Sequence, residues 1–205
     1  MSGRLYIFDG VDGAGKTTLI HKVANALRSQ DKKVHVQPYP SNRLIGQLIR
    51  DTMLRPNAIS PQAYMHLFVA DGLDVEADVQ YMLAGGYTIL ADRHPISSSF
   101  AYQLKYHSVD NMFSVCRPGM FTNPNAVFIV DVPSNIALER IQKRGAQTDI
   151  YESVRVQEVE TRRARYTALW SMMNNVVLLD GLRDDNDKTV LNIMSQVDKL
   201  ILSKN

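Results

Sequence analysis

A single cysteine, Cys116, stands among the 205 residues, so no internal disulfide can form and a reducing, cytoplasmic setting is expected. Nothing near Cys116 in sequence would activate it as a nucleophile. No apolar run approaches the ~18 residues of a membrane helix. The opening MSGRLYIFDG has no apolar segment of secretory length. No membrane association is expected from either. Charge of one sign is also scarce: the net value is +2, without a Lys/Arg block, and no nucleic-acid partner is expected. Arg162-Arg163-Ala164-Arg165 follows Glu158 and Glu160 and reads as a solvated helix face. Repeats and low-complexity linkers are absent. With 45% hydrophobic and 21% charged residues, the chain reads as one ordinary globular domain over 1–205.

What is present is an alternation of short apolar runs and amphipathic stretches. RLYIFD (4–9), bounded by Gly10, reads as a buried strand. KTTLIHKVANALRSQ then puts Leu19, Ile20, Val23, Ala26 and Leu27 on one helical face. KVHVQP (33–38), YTILA (87–91), AVFIVDV (126–132) and VVLL (176–179) are further strands. Helices are predicted over 43–54, 60–83, from Ser134 onward, over 152–174 and over 186–202. Ser60-Pro61 supplies a cap followed by proline at the first helical position. The order implies an α/β domain with a five-stranded parallel sheet flanked by helices. Ligands in such sheets bind at the carboxyl ends of the strands.

GVDGAGKT (Gly10 to Thr17) fits G-x-x-x-x-G-K-[ST], with a strand before it and a helix after it. Gly10, Gly13 and Gly15 permit a tight turn whose N–H groups, with the helix N-terminus, face an anion. Lys16 can reach the outer phosphates, and Thr17 offers a hydroxyl to Mg²⁺. The motif does not choose a reaction, because switch GTPases and motors share it. No N-K-x-D guanine reader is present and the chain is short for a motor, so a small-molecule phosphotransferase is the better reading.

With this cradle, the segments FVAD, DRH…SSSFAYQ, DVPSNIALERIQKRG and TRRARY, in this order, resemble those of thymidylate kinases. These nucleoside-monophosphate kinases form the diphosphate from dTMP and MgATP. The resemblance covers nearly the whole chain. It implies a P-loop kinase fold with a short lid near 145–152, ATP and Mg²⁺ as cofactors, small nucleotide substrates and a homodimer. It also implies roles for particular residues. Gly10, Gly13, Ala14, Gly15, Lys16, Thr17 and Thr18 hold the donor phosphates, and Arg140 and Arg144 pack near adenine. LLDG (178–181) forms the other side of that base. Asp12 contacts the acceptor side, and near Pro40 either Arg43 or Arg50 holds the acceptor phosphate. Phe68 stacks on the base, Asp92 supports Mg²⁺, and Arg93 clamps the transferred phosphate. Lys16, Arg93 and Asp12 are thus the catalytic candidates, with Ser97, Ser98, Tyr102 and Gln103 beside the sugar or base. Physical chemistry agrees: two polyanions must be joined, and cations and N–H donors neutralise them. A monophosphate acceptor is already a nucleophile, so the catalytic task is positioning.

Three departures from the family pattern bear on the site. Ala70-Asp71-Gly72 ends in glycine where the family's base-contacting arginine stands. The lid reads Asp149-Ile150-Tyr151-Glu152 and the phosphate loop has Gly13, so neither usual position carries the catalytic arginine. Lys143, Arg144 or Arg155 then replaces it, or turnover is slow. The stretch from Asp92 to Tyr102 is one residue longer than the common pattern.

Bland alternatives exist for several residues: Phe68 with Tyr64 and Leu67 as core, Trp170 as core, and the 97–99 serines as a helix start. His94 has no partner spaced to make a metal site. Two other functions compete. A deoxynucleoside kinase is suggested by DRHPI, but such enzymes need a carboxylate base where Gln37-Pro38 stands. A nucleotide-binding module without efficient turnover is suggested by the missing lid arginine. A related kinase with altered base preference is the remaining variant.

Overall fold

The computed structural model describes residues 3–55, 58–98, 119–145, 155–171, 175–182 and 188–195. Five strands form one parallel sheet: β1 (Arg4–Asp9), β2 (Val34–Pro38), β3 (Thr88–Asp92), β4 (Ala126–Asp131) and β5 (Val176–Asp180). Their order is β2-β3-β1-β4-β5. The α/β architecture with five parallel strands is therefore as the periodicity predicts. β1 is central, with β3 on one side and β4 on the other, and it is buried from Leu5 to Asp9. Leu5, Tyr6, Ile7 and Phe8 run without a polar break because helices cover both faces.

The helices are α1 (Lys16–Arg28), α2 (Leu44–Met53), α3 (Pro61–Ala84), α4 (Ser134–Arg144) and α5 (Val156–Trp170), with a last helical stretch over 188–195. α1 buries Leu19, Ile20, Val23 and Leu27 as its spacing predicts, with Ala24 rather than Ala26 as the buried alanine. Ser60 caps α3 by accepting the Ala63 N–H at 3.2 Å, with proline next. Predicted and observed boundaries differ most at α5, which begins at Val156 rather than 152. Among the described residues no helix is long and apolar enough to cross a membrane.

The main core joins the sheet to α1 and α5, with Tyr166, Leu169 and Trp170 packed under β4 and β1. A separate small cluster of Ile49, Tyr64 and Phe68 joins α2 to α3. The consequence for function is positional. The chain leaves β1 at the point where its neighbours lie to both sides, so the loop 10–15 stands over the crevice of the sheet.

Candidate active site

The phosphate loop is shaped by three glycines with positive φ: Gly10 at 129°, Gly13 at 77° and Gly15 at 96°. At two of them the missing side chain has a packing reason. A Cβ on Gly10 would lie 2.4 Å from the Val130 carbonyl oxygen, and one on Gly13 would lie 2.2 Å from that of Ala137. The loop thus presses on the end of β4 and on the first turn of α4, which excludes an arginine at 13. A Cβ on Gly15 would instead meet, among the described residues, an Arg140 guanidinium nitrogen at 4.0 Å.

A cleft of about 610 Å³ opens over this loop. Lys16, Thr17, Asp92, Arg93, Arg140 and Arg144 are all on its walls, together with Leu179 to Gly181. Lys16 is 6% exposed, and its ammonium donates to the Gly10 and Val11 carbonyls at 3.0 and 2.8 Å. Burial, with the Arg93 charge next, lowers its pKa to about 8; Asp12, Asp92 and Asp9 oppose the fall. Thr17 donates its hydroxyl to Asp92 at 2.7 Å. These are two hard oxygen donors side by side. Mg²⁺ in nucleotide sites takes one or two carboxylates plus phosphates and water, so this pair suits it. Among the described residues no group of three or more His, Cys, Asp or Glu could hold a metal by itself.

Arg93 is the least ordinary residue of the site. Its φ is 74°, a left-handed conformation that costs a non-glycine residue about 1–3 kcal/mol. The turn is fastened by its own N–H, which donates to Phe8 O at 2.9 Å. Its guanidinium then reaches across β1. It donates to the Gly10 carbonyl at 3.1 Å, to the Tyr166 hydroxyl at 2.7 Å and to the Asp12 carboxylate. Asp9 lies 3.8 Å away.

Asp9 is wholly buried and accepts from Gly10 N–H and from the Trp170 indole, both at 3.0 Å. Burial raises its pKa; Arg93, Ser97, Lys16 and Trp170 act the other way. Neither Asp9 nor Tyr166 is singled out by the sequence motifs. The usable signal is that Asp9 immediately precedes the loop glycine and Tyr166 closes TRRARY.

Around the loop that follows β2, the structure separates the two arginine candidates. Arg50 is half-buried and donates to the Pro40 carbonyl at 2.8 Å. Arg43 turns outward instead, onto Asp74 and Asp78 of α3. Asp71 pins the same loop by accepting the Ser41 N–H and hydroxyl, both at 2.6 Å. Phe68 is 3% exposed in the cluster with Ile49 and Tyr64 and is not on the cleft wall. Ser97 and Ser98 are buried as well, and Ser97 donates to the His94 carbonyl at 3.0 Å. His94 packs against Tyr39, Phe121 and Trp170, and burial lowers its pKa to about 3. It is a neutral core ring. Gln37 is 7% exposed and donates its amide to the Pro38 carbonyl at 2.9 Å, so no carboxylate stands at the end of β2.

Gly72 has a direct explanation. A Cβ there would lie 2.3 Å from Pro95 Cγ and 2.7 Å from Phe121 Cε1. The glycine in α3 and the proline after Asp92-Arg93-His94 are therefore one feature: the space beside position 72 is filled by Pro95 and Phe121. Tyr102, Gln103, Asp149 and Glu152 lie outside the described residues, as do Cys116, Ser99 and all of the 145–152 lid but Gly145.

On the other side of the cleft, Arg140 donates to Gly181 O at 3.0 Å and tethers α4 to the turn after β5. Arg144 is one turn further along and lines the cleft. Lys143 is exposed and paired with Glu139. Arg155 is exposed at the start of α5.

The family model for thymidylate kinase matches residues 8–187. The chain belongs to the thymidylate kinase family. It is 28% identical over 201 residues to a thymidylate kinase of Thermosipho africanus, with 95% of each chain covered. A thymidylate kinase of Thermosipho melanesiensis is 29% identical over 200 residues, again covering 95% of each. One from Sulfurihydrogenibium is 30% identical over 149 residues, covering 69% of this chain and 72% of that one. Like the rest of the family, this is a nucleoside-monophosphate kinase by descent, built on the parallel sheet described above.

Proposed function

We propose that this protein transfers the γ-phosphoryl group of ATP to a deoxynucleoside monophosphate, with dTMP as acceptor and dTDP as product. One observation carries the reading. Lys16 and Thr17 at the start of α1, and Asp92 and Arg93 at the end of β3, line one cleft above the glycine loop. The similarity to thymidylate kinases over residues 8–187 supports the substrate assignment.

In this reading the N–H groups of the loop 10–17 and the Lys16 ammonium hold the donor phosphates. Arg140 and Arg144 flank the adenine with the turn at Gly181. Thr17 and Asp92 would hold Mg²⁺, which would supply positive charge to offset that of the donor phosphates. The acceptor enters from the side of Tyr39, Arg50 and Arg93, and Arg50 rather than Arg43 holds its phosphate. Arg93 moves from Asp12 to the transferred group. The acceptor phosphate attacks without a base, consistent with Gln37 at the end of β2. Of the three candidates for the family's missing lid arginine, Lys143 is paired with Glu139 and Arg155 is exposed at the start of α5, while Arg144 lines the cleft on the adenine side. A homodimer is part of the proposal; exposed Leu44, Leu48 and Tyr81 on α2 and α3 offer apolar surface for it.

A coupled ADP assay with deoxynucleoside and nucleoside monophosphates, plus thymidine, tests the reading. Highest kcat/KM with dTMP is expected. No ADP from any monophosphate would sink it, and turnover of thymidine alone would make the protein a nucleoside kinase. Turnover no better than that of Lys16→Ala would leave a binding module.

A further inference from the structure

Arg93 must be held over the phosphates, and Asp12, its partner among the catalytic candidates, is the contact it gives up when it turns to a phosphate. Its backbone fixes only where the side chain starts. The guanidinium itself is fixed by groups that touch no substrate in the proposed reaction. The Tyr166 hydroxyl, 2.7 Å from Nη1, comes from α5 and belongs to a ring that is 1% exposed. The Gly10 carbonyl, 3.1 Å from the same nitrogen, comes from the loop. Asp9, 3.8 Å away, is in turn fixed by the Trp170 indole of the same helix. One turn of α5, from Tyr166 to Trp170, therefore supports both the guanidinium and its buried counter-charge.

We propose that Tyr166, with Asp9 behind it, is a positioning residue for phosphoryl transfer: its hydroxyl sets the guanidinium of Arg93 against the phosphate loop. This rests on the kinase reading above. The division of contacts explains how the clamp can both stay and move. Asp12, at the cleft, is the partner that Arg93 exchanges for a phosphate. Tyr166 is buried and absent from the cleft walls, and can keep its bond during that exchange. The neutral hydroxyl also leaves the positive charge available, which a second buried carboxylate in its position would not. α5 is the helix that follows the 145–152 segment, so the same bond ties the clamp to the chain beyond the family's lid.

Tyr166→Phe removes one oxygen and keeps the ring, so the core below β4 stays filled. Two measurements test the inference. The first needs no turnover. The Arg93 guanidinium N–H signals, assigned by their loss in Arg93→Lys, should exchange with water at least about tenfold faster in Tyr166→Phe, because a buried bond to a charged group is gone. Unchanged exchange would overturn the tether. The second is a double-mutant cycle in the ADP assay. Tyr166→Phe should lower kcat about tenfold with KM for ATP within about twofold, and should have no further effect in an Arg93→Ala background. The same fractional loss in both backgrounds would mean that Tyr166 does not act through Arg93. If the wild type forms no ADP with any monophosphate, the kinase reading falls, while the exchange measurement still decides whether the tether exists.

Discussion

Asp9 and Asp92 end neighbouring parallel strands, yet they face different chemistry. β1 and β3 are in register with Phe8 opposite Asp92, so Asp9 is one residue out of step. One step along a strand turns a side chain to the opposite face of the sheet. Asp92 accordingly faces α1 and accepts from Thr17 in the cleft. Asp9 faces α5, is wholly buried and accepts from Trp170. Residue type and strand position are the same. Parity alone makes one carboxylate a candidate for the metal and the other a support beneath the arginine clamp.

The largest effect expected from breaking this arrangement is at the residue between the two acids. Arg93→Ala should lower turnover by roughly 10³-fold or more, by analogy with other phosphate-clamping arginines, and should also lower the thermal midpoint, because buried Asp9 loses its counter-charge. Steady-state assay and thermal melting check both halves of that statement. Next, Asp92→Asn should lower turnover about 10²-fold, the usual loss for one electrostatic contact at a transition state, and raise the Mg²⁺ concentration needed. Asp9→Asn should leave the Mg²⁺ requirement where it is, and a Mg²⁺ titration of both variants decides between them. Asp9→Asn should instead alter stability against pH. With its pKa raised above the ordinary 3.8 in the folded protein, Asp9 favours the fold at low pH. That contribution fades as pH rises through the folded value, so the melting temperature of the wild type should decline relative to the asparagine variant over that range.

Smaller changes test the wall on which Asp92 and Arg93 are mounted. Gly72→Ala would ordinarily help a helix by up to about 1 kcal/mol. Here the collision with Pro95 should make it destabilising by about 1–3 kcal/mol, read as a lower denaturant midpoint. A second effect on stability, confined to low pH, is expected at His94. Its pKa falls from 6.5 to about 3 on burial, so the contribution of the neutral ring is complete above 6.5 and is lost as pH falls toward 3. His94→Phe should flatten that part of the stability profile; equal slopes for the two proteins would contradict the burial of an uncharged imidazole.

Local rules made the sheet and the cradle legible. Each strand is a short apolar run closed by a polar or turn residue, and GVDGAGKT carries its own geometry in its glycines. The Ser60-Pro61 cap was readable for the same reason. The strand order was not, because it depends on which crossover packs where. Phe68 and the serines at 97 and 98 show the limit on the acceptor side: a motif names an aromatic or a hydroxyl, while neighbouring helices decide what it faces. Gly72 looks like a lost contact when read alone. Its meaning requires Pro95 and Phe121, which are far from it in sequence. Arg43 and Arg50 could not be separated by spacing, since the choice is made by Asp74 and Asp78 one turn apart on α3.

Trp170 is the one tryptophan of the chain, and its indole N–H is bonded to the carboxylate that immediately precedes the phosphate loop. The protein therefore carries a built-in optical probe at the base of its own nucleotide cleft. Selective excitation of that indole reports on a single known place. Any rearrangement of charge around Asp9 as nucleotides arrive becomes a shift in emission, readable in the unlabelled wild-type protein by stopped flow.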